Sequence, residues 1–117
     1  TCPANQDTTV ANFHAATNTS DNALDVEDAK YIRVTNLDAS NSINLSLQID
    51  AAEDDSAAAE SATILVAAGR SFIMGTPSDG LAVSDANATI VTTLHNLESI
   101  LVDPGSNAIS VEVFIAS

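Results

Sequence analysis

Two runs of side chains hold enough oxygen to attract a cation. Asp50, Glu53, Asp54 and Asp55 lie close together in the chain, as do Asp25, Glu27 and Asp28. A calcium ion takes about six to eight oxygen ligands from carboxylates and carbonyls. Neither run follows the spaced D-x-[DN]-x-[DN]-G pattern that wraps a loop around that ion. Carboxylates this close repel one another in the absence of a cation. Asp50, Glu53, Asp54 and Asp55 are therefore calcium candidates only, and a solvated acidic loop is the expected state. The expectation for metal, and for any other cofactor, is none.

Nucleophilic catalysis asks for a Ser, Cys or Thr beside a base that a third group orients. The two histidines are His14, in a polar segment, and His95, just before Asn96. Neither sits in a recognisable constellation, and no G-x-S-x-G elbow or phosphate-binding glycine loop occurs. Cys2 is the only cysteine. It excludes an intrachain disulfide, and with two dispersed histidines it supplies no transition-metal spacing. A free thiol is expected there. No catalytic residue is assigned, and the chain is expected not to be an enzyme. Sugar recognition on a sheet uses exposed aromatic rings, but there is no Trp and one Tyr. Tyr31 is expected on the sheet face opposite Ile32, in a structural role. Arg70 follows Gly69 at a turn and is expected to form a local ion pair, because acids far outnumber bases.

The charge balance removes two classes of partner. Of 117 residues, 16 are acidic and 3 are basic, for a net charge of −13. Lys30, Arg33 and Arg70 cannot build the cationic surface that duplex DNA requires, nor one for an anionic membrane. No run approaches the roughly 18 apolar residues of a membrane span. The first residues show no basic n-region followed by an apolar core, so no signal peptide is expected. Removal of an initiator Met ahead of Thr1, or cleavage of a longer precursor, are both open. Val, Ile, Leu and Phe total 30 residues, enough for a folded domain with a modest core.

The elements that must position these residues are strands. Ile43, Leu45, Leu47 and Ile49 recur at every second position with Asn44, Ser46 and Gln48 between them. Period two places the four apolar side chains on one sheet face. Residues 31–35 alternate in the same way, with Ile32 and Val34 facing inward. Further strands are expected at 62–66, 71–74, 89–94, 97–102 and 109–115, the last with Ile109, Val111, Val113 and Ile115 toward the core. Turn clusters separate them at Asp38–Asn41, Gly69–Arg70, Thr76–Gly80 and Asp103–Ser106. The final two strands are expected to form a hairpin across Pro104-Gly105. Residues 1–29 read as a polar N-terminal arm with a short edge strand near Val10–Ala16, docked on its own domain or on a neighbour. Residues 30–117 read as one domain. The expected architecture is an all-β, antiparallel β-sandwich of seven or eight short strands, jelly-roll or immunoglobulin-like, with an extended N-terminal arm.

Three segments carry a resemblance. YIRVTNLD at Tyr31–Asp38, GRSFIMG at Gly69–Gly75 and LESILVDPGSNAISVEVFIAS at Leu97–Ser117 resemble small acidic virion structural proteins of marine tailed bacteriophages, which coat the capsid or attach to the tail. The resemblance spans roughly Tyr31–Ser117 and is a pattern of strands and turns without an invariant chemical motif. It implies a β-sandwich that binds symmetrically repeated sites on a capsid, with no enzymatic activity and no catalytic residues. The expected function is thus a capsid decoration (cement) protein on the outer surface of a virion. Its expected partners are the major capsid protein or copies of itself, as a homo-oligomer or lattice-bound subunit, with no nucleic acid and no membrane. The alternative is a subunit of a tail, fibre or extracellular filament that assembles by exchange of the N-terminal arm. A glycan- or calcium-binding module is disfavoured by the missing aromatics and loop motif.

Overall fold

Alternating apolar and polar residues dominate this chain, and the structure, a computed structural model, turns them into strands. It describes residues 1–14, 24–25, 29–50, 60–83, 90 and 92–116; for His14, Leu24, Asp25 and Asp50 it describes the backbone alone. In chain order the strands are β1 (Thr8–His14), β2 (Leu24–Asp25), β3 (Tyr31–Asn36), β4 (Ile43–Asp50), β5 (Glu60–Val66), β6 (Ser71–Met74), β7 (Asn96–Asp103) and β8 (Val111–Ala116). No helix occurs among the described residues. The strands form a five-stranded sheet ordered β2-β1-β7-β4-β5 and a three-stranded sheet ordered β6-β3-β8. Every pairing is antiparallel except the short β1–β2 contact.

The two sheets share one core. Leu45, Leu47, Ile100 and Val102 from the larger sheet join Ile32 and Val34 from the smaller one in a single buried cluster. The row Ile43, Leu45, Leu47, Ile49 is buried throughout, as period two requires. In β7 the buried residues are Leu97, Ile100 and Val102, a spacing that breaks the period. A β-bulge accounts for it. Gln48 lies across from Ser99 while Ile49 lies across from Leu97, so Glu98 is the extra residue and the alternation restarts after it. Val10 does the same in β1, between the Thr9–Leu101 and Ala11–Ile100 pairs.

Pairing is nested. The innermost pair is β4 with β5, followed outward by β3 with β6, β1 with β7, and a last bridge between Cys2 and Ile109. The chain therefore resembles one long antiparallel hairpin, folded so that successive pairs fall alternately in the two sheets. This corrects the expected hairpin of the last two strands. β7 belongs to the larger sheet, whereas β8 pairs with β3 in the smaller one. Pro104-Gly105, with Gly105 at φ 75°, carries the chain from one sheet to the other. Period two tells which face of a strand is buried but not which strand lies beside it.

Other boundaries move as well. The strand near Val10–Ala16 begins at Thr8 and lies between β2 and β7, with Ala15 and Ala16 outside the described residues. The 62–66 strand begins at Glu60, and the 109–115 strand begins at Val111, with Ile109 held by Cys2 instead. The strand expected at 89–94 is not found at its described positions. Ile90 is 88% exposed, and residues 92–94 pair with nothing before the Leu81–His95 bridge. β-branched residues favour a strand only where a neighbouring strand and a core face exist to receive them.

Asn36 joins the two sheets. Its side chain is fully buried; its Nδ2 donates to the carbonyls of Asn41 at 2.8 Å and Val66 at 3.2 Å. Its Oδ1 accepts the N–H of Asp38 at 2.9 Å. Asp38 in turn accepts the N–H groups of Ser40 and Asn41, at 2.9 and 2.7 Å. The end of β3, the turn to β4 and the end of β5 are thereby fixed as a unit.

Candidate interaction surface

The outward residues of the smaller sheet build the most unusual surface of the molecule. In β3 the inward positions are Ile32 and Val34, so Tyr31, Arg33 and Thr35 project to the other side. Register places Arg33 between Ile73 of β6 and Phe114 of β8. The Arg33 guanidinium carbon lies 5.3 Å from the centre of the Phe114 ring, and its Nη2 lies 3.3 Å from Oε1 of Glu112. Tyr31 meets the edge of the same ring, with centroids 6.0 Å apart at 73°. Thr35 and Ser71 join hydroxyls across the strands at 2.8 Å. Ile73 and Phe114 remain 58% and 48% exposed. Tyr, Arg and Phe are the residue types that concentrate at the centres of protein interfaces.

Charge singles out the same sheet. Residues 30–36, 70–74 and 111–116 contain Lys30, Arg33, Arg70 and one acid, Glu112, for a balance of +2. The rest of the chain holds the other 15 acids and no base. The strands themselves balance, Arg33 against Glu112, and the +2 comes from Lys30 and Arg70, the residues just before β3 and β6. Arg70 is exposed and makes no ion pair with a described residue; its backbone N–H donates to Ala67 and its carbonyl accepts from Asn36. Among the described residues the ion pair is Arg33 with Glu112, because β8 brings Glu112 beside it.

A second concavity, of about 330 Å³, lies on the outer face of the larger sheet. Asn44, Ser46 and Gln48 of β4 line it together with Thr63, Leu101 and Asp103. Several of these polar groups already satisfy one another or their backbone. Gln48 Nε2 donates to Ser46 Oγ at 2.6 Å, and Asp103 Oδ1 accepts the N–H of Gly105 at 3.0 Å. No aromatic ring lines it.

The free edges differ in character. β5 closes one side of the larger sheet, and its residues 61–66 carry no charge. Ile64 is partly exposed and Leu65 is 64% exposed. Natural edges are usually blunted by charge or proline; residues 61–66 of this one carry neither.

The calcium candidates receive no geometry. Glu53, Asp54 and Asp55 lie outside the described residues, as do Glu27 and Asp28, and of Asp25 and Asp50 only the backbone is described. Among the described residues no group of three or more His, Cys, Asp or Glu gathers in a way that could hold a metal ion. His14 ends β1, and His95 bridges Leu81 where β7 begins. Cys2 is buried in the core. Phe114 is the exposed aromatic that sequence reasoning passed over. Its signal was available, since it falls in the outward phase of a strand whose inward phase is Val111, Val113 and Ile115.

Comparison of the chain with protein-family models, with curated proteins and with solved structures returned no match. Among the described residues no helix is long and apolar enough to cross a membrane.

Proposed function

We propose that this chain is a non-enzymatic structural protein of a virion, most concretely a capsid decoration (cement) protein that binds repeated sites on the outer surface of a phage capsid. The observation that carries this reading is the uncharged 61–66 stretch of edge strand β5, with Ile64 and Leu65 exposed, on a chain of net charge −13. Such an edge accepts a strand or an apolar ridge from a partner, here the major capsid protein. The remaining acids keep the coated particle soluble and repel packaged nucleic acid.

Within this reading the fold is a jelly roll. The nested pairing of β4 with β5, β3 with β6 and β1 with β7, closed by the Cys2–Ile109 bridge, supports that topology over an immunoglobulin-like one. Jelly rolls are frequent in viral shells, although a fold by itself does not assign a function. The alternative, a tail, fibre or filament subunit, relies on exchange of the N-terminal arm. Here Cys2 and residues 8–14 are paired within their own chain, which favours decoration over exchange.

The test is to add the purified protein to capsids stripped of their outer proteins. Bound protein is expected to raise the capsid melting temperature, and Leu65→Lys to reduce occupancy. Full occupancy with unchanged capsid melting would remove the cementing role.

A further inference from the structure

The outer face of the larger sheet gathers polar side chains from distant parts of the sequence. Ser46 of β4 lies between Thr63 of β5 and Leu101 of β7, and Asn44 lies across from Asp103. Thr8 pairs with Val102, which brings Asp7 to the Asp103 end of the sheet. Together with Gln48, these side chains surround the concavity of about 330 Å³. Pockets for small ligands begin at about this volume.

The hydrogen bonds already made there leave defined groups for a ligand. Gln48 Nε2 donates to Ser46 Oγ at 2.6 Å. That bond fixes the amide, leaves Gln48 Oε1 as an acceptor and turns the Ser46 hydroxyl proton outward as a donor. Asp103 Oδ1 accepts the N–H of Gly105 at 3.0 Å, which holds the carboxylate and leaves Oδ2 to accept. The side chains of Asp7, Asn44 and Thr63 hydrogen-bond to no described residue.

The lining selects the ligand by elimination. None of the three bases of the chain contributes to it, and two carboxylates do, which disfavours phosphate and carboxylate ligands. No aromatic ring lines it and Leu101 is its one large apolar side chain, which disfavours a flat apolar ligand. Two amides and two hydroxyls both donate and accept, and the two carboxylates accept only. A neutral ligand covered in hydroxyls matches that set, because each hydroxyl also donates and accepts.

We propose that this concavity binds a neutral sugar, one hexose unit of a glycan. Its hydroxyls donate to Asp7 and Asp103 and exchange bonds with Asn44, Ser46, Gln48 and Thr63, while its C–H face rests on Leu101. With no ring to stack on, the sugar trades hydrogen bonds to water for hydrogen bonds to protein. A dissociation constant on the order of a few millimolar is expected. Arrayed in many copies on a capsid, such weak sites gain avidity toward a glycan-bearing surface. That gain rests on the capsid reading; the site itself does not, and it is tested on the free chain.

The test is an amide chemical-shift titration of the full chain with D-glucose, D-galactose and D-mannose, each raised to about 100 mM, well above the expected constant. Calcium chloride and inorganic phosphate are titrated alongside. At least one sugar is expected to give saturable shifts in the amides of residues 44–48, 63 and 101–103, and phosphate none. Asn44 and Thr63 are exposed, so Asn44→Ala and Thr63→Ala are expected to leave the urea midpoint unchanged. Each is expected to weaken sugar binding about tenfold. Thr35→Ala, on the other sheet, is expected to bind as the wild type does. No saturable shift with any of the three sugars overturns the proposal. So do shifts centred on the smaller sheet, or binding that survives both substitutions. A response to calcium alone overturns it too and marks a cation site only.

Discussion

Cys2 and Ile109 exchange both of their backbone hydrogen bonds and pack their side chains into the same core. The pair closes the outermost ring of the nested hairpin and ties the chain's first residues to the segment that enters β8.

The Cys2 side chain is 2% exposed. A thiol-specific reagent is therefore expected to label the unfolded chain fully and the native chain slowly. Cys2→Ser buries a hydroxyl in apolar surroundings and is expected to cost about 1–3 kcal/mol, read as a lower urea midpoint. Rapid labelling of the native protein would show that the Cys2–Ile109 pair does not hold.

Asn36 offers a sharper stability test. Asn36→Ala leaves the carbonyls of Asn41 and Val66 and the N–H of Asp38 without their side-chain partners. The expected loss is about 3 kcal/mol, from buried polar groups that cannot reach water. Asn36→Asp keeps the acceptor and loses both donors, so it is expected to be no milder. Urea denaturation with an unchanged m-value checks both variants.

Asp38 supplies a pH dependence. The N–H groups of Ser40 and then Asn41 hold its carboxyl below the ordinary aspartate value of 3.8. Its folded pKa is depressed, so the carboxylate stabilises the fold above the unfolded pKa. That contribution fades as pH falls through 3.8 toward the lower folded value. The stability difference between the wild type and Asp38→Ala is expected to be constant near neutrality and to shrink in acid below that point. A difference that persists unchanged into strong acid would assign the effect to the turn's backbone instead of the charge.

Self-repulsion sets a salt dependence. With 15 of the 16 acids outside the smaller sheet and no base among them, the folded chain carries uncompensated charge over most of its surface. Thermal melting is expected to shift upward from low salt to about 0.5 M salt as that repulsion is screened. A chain held together mainly by surface ion pairs would respond in the opposite sense. The Arg33–Glu112 contact, on an exposed face, is worth at most about 1 kcal/mol.

How much of this was legible in advance differs from residue to residue. Ile43, Leu45, Leu47 and Ile49 announced a strand and its buried face, because alternation acts within the strand and needs no knowledge of neighbours. Ile32 and Val34 did the same, and Tyr31 was rightly placed on the opposite face. The described part of segment 89–94 shows the limit of propensity, since Ile90 is exposed and residues 92–94 form no strand with a described residue. The Arg33–Phe114–Tyr31 cluster was beyond reach, as it joins residues about 80 positions apart through a pairing that only the folded chain creates. The same holds for Asn36, which reads as a turn residue and acts as a bolt between sheets.

The sequence by itself determined that this protein is built of strands, which faces they bury, and that its net charge is −13. Those properties are local or additive, set by side-chain period and summed charge. Tertiary structure alone decided that β8 leaves β7 for β3, that Cys2 is sealed inside, and that Arg33 meets Glu112 across β3 and β8. Each of these depends on which strand lies beside which, and a row of valines and isoleucines is satisfied by any apolar neighbour. The choice was made by the closure of the whole nested hairpin around one core.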